Sequence, residues 1–200
     1  MREFIYFSSS APTSGKLIQD DLMKAGRLDI AIHTVIATFF LSHSIRDNVK
    51  LHLVFAGPPD PQKHLEIQLV LEGKTGEDKI YLNKKDVSHI IKKMLYKYKE
   101  GQKNEVFPGY WVEKKSYISV LKDLLKEGKQ IFILDEDGED IRKVKIEDNP
   151  VFVLGDHDGL PELKKELKRI SYTPISVGPN TYFASQTVTI VNNELDRRGI

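Results

Sequence analysis

Two rhythms of hydrophobic residues run along this chain. Short apolar runs at residues 3–7, 49–56, 130–134, 150–154 and 173–177 read as strands. The later runs each stop in a turn: Gly57-Pro58-Pro59-Asp60-Pro61 after the second, Asp135-Glu136-Asp137-Gly138 after the third, Gly155 and Gly178-Pro179 after the last two. Between them the spacing changes to three and four. Val87, Ile90, Ile91, Met94, Leu95 and Tyr98 share one face of a helix for which Asp86 looks like the N-cap. A second helix spans 116–127 and ends at Gly128, and a last one carries Phe183, Val188, Ile190, Val191 and Leu195. Residues 27–44 are apolar on nearly all sides, which predicts a helix buried on more than one face. Residues 65–71 and 79–82, around Gly73-Lys74-Thr75-Gly76, predict a hairpin beside the main sheet, and Pro108-Gly109-Tyr110-Trp111 a loop. A further helix is expected after Pro161. Strands alternating with helices predict an α/β fold, a mostly parallel sheet flanked by helices, as one domain over 1–200.

Composition narrows the chemistry. The 200 residues contain no cysteine, which removes disulfides, thiolate catalysis and Cys-based zinc or iron–sulfur sites. A formal charge of +1 gives no global attraction to nucleic acid, so RNA binding would need a local basic face. Lys84, Lys85, Lys92, Lys93, Lys97 and Lys99 form one candidate, and Arg197 with Arg198 another. The most apolar stretch, 30–41, is too short for a bilayer span of roughly 20 residues. Residues 1–10 carry no apolar run of signal-peptide length, so a cytoplasmic protein with no membrane partner is expected.

The stretch PVFVLGDHDGLP (150–161) sets a buried strand against two carboxylates and an imidazole between glycines. A metal site, a solvated turn and a strand end that cradles a small molecule all fit this pattern. The six histidines show no chelating spacing, and none is expected to hold a metal; His33 and His52, inside apolar stretches, read as core imidazoles. Gly73-Lys74-Thr75 lacks the earlier glycine of a phosphate loop. Asp135–Asp140 has its glycine out of place for a calcium loop and reads as an Asp-Gly hairpin turn. No nucleophile elbow and no dinucleotide fingerprint appear. Three late strand ends remain, at Leu134, Leu154-Gly155 and Val177-Gly178, where glycine permits close backbone approach to a flat purine-type ligand.

The segments IFILDEDGEDI (131–141), PVFVLGDHDG (150–159) and ISVGPNTYFASQTVTIVNNELD (175–196), with Gly26-Arg27-Leu28-Asp29 and Phe40-Leu41-Ser42-His43, resemble one family over the whole chain. That family is the archaeal tRNA pseudouridine-54 N1-methyltransferases of the SPOUT superfamily. The resemblance implies a deep C-terminal trefoil knot over about 130–200, a homodimer, S-adenosyl-L-methionine as cofactor and tRNA as substrate. Such knots are rare exceptions to chain topology. Cofactor contacts are implied at Leu134, Gly155, Val177, Gly178, Pro179, Asn180, Thr181 and Tyr182. Thr187 falls where many relatives have a cysteine lining the cofactor. Asp29 is the first candidate to accept the N1 proton, Asp156 the second, with Arg27 holding a phosphate or steering Asp29. Asp156 and Asp158 would shape the loop after Gly155. Tyr182 or Phe183 could stack on the target base, although core packing is the plainer reading of Phe183. The alternatives are the same chemistry on ribosomal RNA and a non-catalytic RNA-binding dimer.

Overall fold

The computed structural model describes residues 1–59, 61–69, 83–161 and 170–200. The strands are β1 (Arg2–Ser8), β2 (Val49–Phe55), β3 (Lys63–Gln68), β4 (Asn104–Phe107), β5 (Tyr110–Lys114), β6 (Gln130–Asp140), β7 (Pro150–Gly155) and β8 (Thr173–Ser176). They form one sheet in the order β4-β5-β3-β2-β1-β7-β6-β8. The five strands from β2 to β8 in that order pair in parallel, and β3, β5 and β4 extend the sheet antiparallel. The expected α/β class and largely parallel sheet are therefore present.

Alternation along β1 splits the core. Phe4 and Tyr6 face α1 (Leu28–Phe39), α2 (Lys84–Tyr96) and α4 (Ala184–Arg198), together with Leu51, Leu53, Phe132 and Phe152. Ile5 and Phe7 face the other way, onto α3 (Tyr117–Lys126), with Val54, Val151 and Val153. Each such buried side chain stabilises the fold by about 1.5–3 kcal/mol relative to exposure. As its pattern predicts, α1 is wedged between sheet and helices, burying Leu28, Ala31, Ile32, Thr34, Val35, Thr38 and Phe39. Its two buried threonines spend their hydroxyls on carbonyls four residues back, at 2.9 and 2.8 Å.

Several local expectations change. Asn83, not Asp86, caps α2: its Oδ1 accepts the Asp86 N–H at 2.9 Å. Pro108 and Gly109 are the turn of a β4–β5 hairpin, with Gly109 at φ 85°. The predicted hairpin partner of β3 and the helix after Pro161 lie outside the described residues. Asp135–Gly138 is no hairpin turn, because β6 continues to Asp140. Leu134 and Glu139 both register with Ile175 of β8, so the residues between them bulge out and return to the same place.

Candidate active site

β7, β6 and β8 are parallel neighbours, so their carboxyl ends meet along one edge of the sheet. Leu134, Gly155, Val177 and Gly178 are half-buried there, while Pro179, Asn180 and Thr181 are exposed and Tyr182 half-buried. Ser176 Oγ holds the turn after β8, donating to the Gly178 carbonyl at 3.0 Å and accepting its N–H at 3.3 Å. Thr181 Oγ1 donates to Glu136 at 2.8 Å and ties this loop to the β6 bulge. Thr187 is buried on α4.

Gly155 has a structural reason of its own. A Cβ there would lie 2.3 Å from the Gly159 carbonyl carbon, because the Asp156–Gly159 turn folds back over it. Asp156 organises that turn. It accepts from Ser8 Oγ at 2.8 Å, from the Ser9 N–H at 2.9 Å and from the Asp158 N–H at 2.9 Å, while Asp158 accepts from Ser9 Oγ at 3.1 Å. Ser10 carries the tie onward: its Oγ donates to the Gly26 carbonyl at 3.0 Å, and its own carbonyl lies 1.9 Å from where a Gly26 side chain would begin.

The Gly26-Arg27-Leu28-Asp29 segment thus starts α1 in contact with the serine loop. Gly26 and Arg27 are both left-handed, at φ 60° and 55°. Arg27 forms a two-pronged ion pair with Asp29, Nε and Nη2 each 3.1 Å from a carboxylate oxygen. Burial alone would raise the Asp29 pKa, but the Arg27 hydrogen bonds and charge bring it below the ordinary carboxylate value. Between the two segments stands Tyr6, fully buried. Burial, then the charges of Asp156 and Asp29, push its hydroxyl well above the usual tyrosine range. Arg27, Asp29 and Asp156 therefore share one neighbourhood at the carboxyl end of β1.

Beside it, α1 and α4 enclose a groove of about 520 Å³. His33, Ile36, Ala37 and Phe40 line one wall, Ser185, Gln186 and Thr189 the other, and Arg46 with Asp196 closes the far end. His33 is half-exposed here and is not a core imidazole. His52 is one: it is buried, with Nε2 2.8 Å from Glu3 and Nδ1 2.8 Å from His64, which reaches Glu113 at 2.9 Å. Folding also brings Glu66 near, so that His52, His64 and Glu66 place ligand atoms within 4.8 Å of one another, a cluster with no trace in sequence spacing. Glu66 is paired there with Lys50 and Lys103.

Other sequence readings shift too. Phe183 is 75% exposed, so core packing is not its role. Lys92 donates to the Ile18 carbonyl at 2.8 Å, and Arg198 to the carbonyls of Ile141 and Val144, so both serve the fold. Lys84, Lys85, Lys93, Lys97 and Lys99 stay exposed.

This geometry can be set beside known proteins. A family model described as "Putative SAM-dependent RNA methyltransferase" matches residues 1–200, and the chain belongs to that family of enzymes. More particularly, it is 36% identical to the tRNA (pseudouridine(54)-N(1))-methyltransferase of Methanosarcina mazei, over 98% of this chain and 92% of that one. It is equally 36% identical to the protein of the same name from Pyrococcus abyssi, over the full length of both. The fold matches the crystal structure of Archaeoglobus fulgidus Nep1 bound to S-adenosylhomocysteine, with a TM-score of 0.62 at 12% identity, over 100% and 99% of the two chains.

Proposed function

We propose that this chain methylates N1 of pseudouridine 54 in the T-loop of tRNA, drawing on S-adenosyl-L-methionine, as a cytoplasmic homodimer. The full-length 36% identity to enzymes of that name carries the reading. We assign residues 1–200 to a single SPOUT domain in which about 130–200 form the knotted cofactor-binding part. In support, β8 passes so close to the β6 bulge that a side chain on Gly138 would begin 2.5 Å from the Ile175 backbone.

The sheet edge suits an adenosyl group. Half-buried apolar Leu134 and Val177 offer flat packing beside the turns at Gly155 and Gly178. Leu134, Gly155, the loop Val177-Gly178-Pro179-Asn180-Thr181-Tyr182 and Thr187 would hold the cofactor there. Bound in this way, S-adenosyl-L-methionine supplies a methyl group already activated by its sulfonium. The chain's own work is then to align the base and take the N1 proton.

Arg27 keeps Asp29 ionised and fixed, which suits a charge that orients the incoming base. Asp156 spends its oxygens on Ser8, Ser9 and Asp158, and so positions the serine loop. The exposed lysines of α2 offer a basic face to the RNA backbone. Exposed Met23, Leu41 and Phe183, on segments flanking α1 and α4, leave apolar surface for a second copy or for base stacking. Nucleoside mass spectrometry tests the reading: purified protein with cofactor should convert pseudouridine in a T-arm stem-loop to its N1-methyl form. Methylation of a small-subunit rRNA fragment instead would assign a different RNA.

A further inference from the structure

The reaction needs a proton acceptor, and neither carboxylate near the base is suited to be one. Asp29 is chelated by Arg27 and held below the ordinary carboxylate range; both Asp156 oxygens accept from neutral donors and hold the serine loop. A different group occupies the right end of the α1–α4 groove. Asn192 of α4 meets the carbonyls of Ala37 and Thr38, and further along Asp196 meets Arg46. The two helices therefore run in the same sense, and their starts share one end of the groove. One start carries Asp29 and, a turn later, His33; the other follows directly from Tyr182 and carries Ser185 and Gln186. His33 faces that space and makes no side-chain hydrogen bond among the described residues, so its ring nitrogens are available.

We infer that His33 is the catalytic base, that the target uracil ring enters the groove between His33 and Gln186, and that the His33 imidazole takes the N1 proton. The inference rests on the proposed reaction. Ile36, Ala37 and Phe40 supply apolar wall for a ring, and Ser185 and Gln186 supply polar groups for its carbonyls. In the step, N1 gains the methyl carbon as the carbon–sulfur bond breaks, and sulfur keeps that bond's electron pair and becomes neutral. The N1 proton moves to the imidazole, which carries the positive charge until it releases the proton to solvent. The charged groups around His33 leave it a free base at neutral pH. Burial first, then the Lys84 cation, lower its pKa from 6.5, and Asp29 opposes them in part; at the far end Arg46 and Arg2 share Asp196.

His33→Gln and His33→Ala test this. Both should lose at least about 100-fold in kcat with KM little changed, the range of general-base catalysis. Exogenous imidazole should restore His33→Ala activity. The wild-type rate should fall on the acid side below pH 6.5, and His33→Gln should lack that limb. A readout without cofactor is the His33 ring resonance in NMR: a pseudouridine T-arm, whose N1–H donates to the neutral ring, should leave its titration midpoint lower than one bearing N1-methylpseudouridine, which has no N1 proton. A kcat within threefold of wild type with the acid limb intact, or a resonance indifferent to both RNAs, overturns the assignment. Failure of the wild-type protein to methylate any T-arm would instead refute the proposed function.

Discussion

At residue 155 one methyl group is enough to test how the turn is built. Gly155→Ala puts a Cβ 2.3 Å from the Gly159 backbone, and backbone cannot step aside as a flexible side chain can. Overpacking of this kind costs about 1–3 kcal/mol, visible as a lower urea midpoint; an unchanged midpoint would mean the turn does not close as described. Asp29→Asn keeps the shape of its site but removes the charge that Arg27 holds. It should lower kcat while calorimetry shows S-adenosylhomocysteine binding unchanged, and parallel loss of both would move Asp29 to the cofactor side. The sequence singled out Arg27 and Asp29 through the family resemblance, and the structure pairs the two with each other. The tie through Ser8, Ser9 and Ser10 was not legible there, because a serine-rich loop has the composition of any linker. His33 was misread for a related reason: an apolar helix with two packed faces still leaves a seam, and sequence does not show where it falls.

At the scale of elements, the chain Glu3–His52–His64–Glu113 crosses β1, β2, β3 and β5 and makes the sheet sensitive to acid. Burial pushes His64 down from 6.5 to about 4, over the opposing hydrogen bond that its ring donates to Glu113. A depressed histidine favours its neutral form in the fold, so its contribution is whole above pH 6.5 and disappears as pH falls toward 4. Burial would raise Glu3, but His52 and Lys129 hold it at about 2, so its contribution is lost from pH 4.5 down toward 2. Urea midpoints should therefore decline in two stages, and His64→Leu should flatten the first. An identical slope between pH 6.5 and 4 in that variant would remove His64 as the cause. Strand positions were readable from apolar runs, yet this network was not, since Glu3, His52, His64 and Glu113 become neighbours only through strand order. The long β6 was likewise hidden, because Asp135-Glu136-Asp137-Gly138 has the composition of a turn whether it reverses the chain or merely bulges.

For the whole molecule, the two chain ends brace each other. Buried Arg2 donates to Asn192 at 3.1 Å and Asp196 at 2.8 Å and also reaches the Ile200 carbonyl, while Arg46 grips the same Asp196. Asp196→Ala leaves Arg2 short of its counter-charge and should cost about 2 kcal/mol, less than a fully buried pair because Asp196 is partly exposed. Chemical denaturation measures this, and a loss below 0.5 kcal/mol, about that of an ordinary surface change, would show the brace to be incidental. The α/β architecture was legible from the alternation of strands and helices, and the family from ordered motifs along the chain. The α1–α4 groove was not, because it depends on how two distant helices align. The central claim is that the carboxyl ends of β6, β7 and β8 hold the methyl donor, and a crystal structure with S-adenosylhomocysteine tests it most directly. The product should lie against Leu134, Gly155 and the 177–182 loop, with its sulfur turned toward the His33 end of the α1–α4 groove; density for it anywhere else on the molecule would contradict the account.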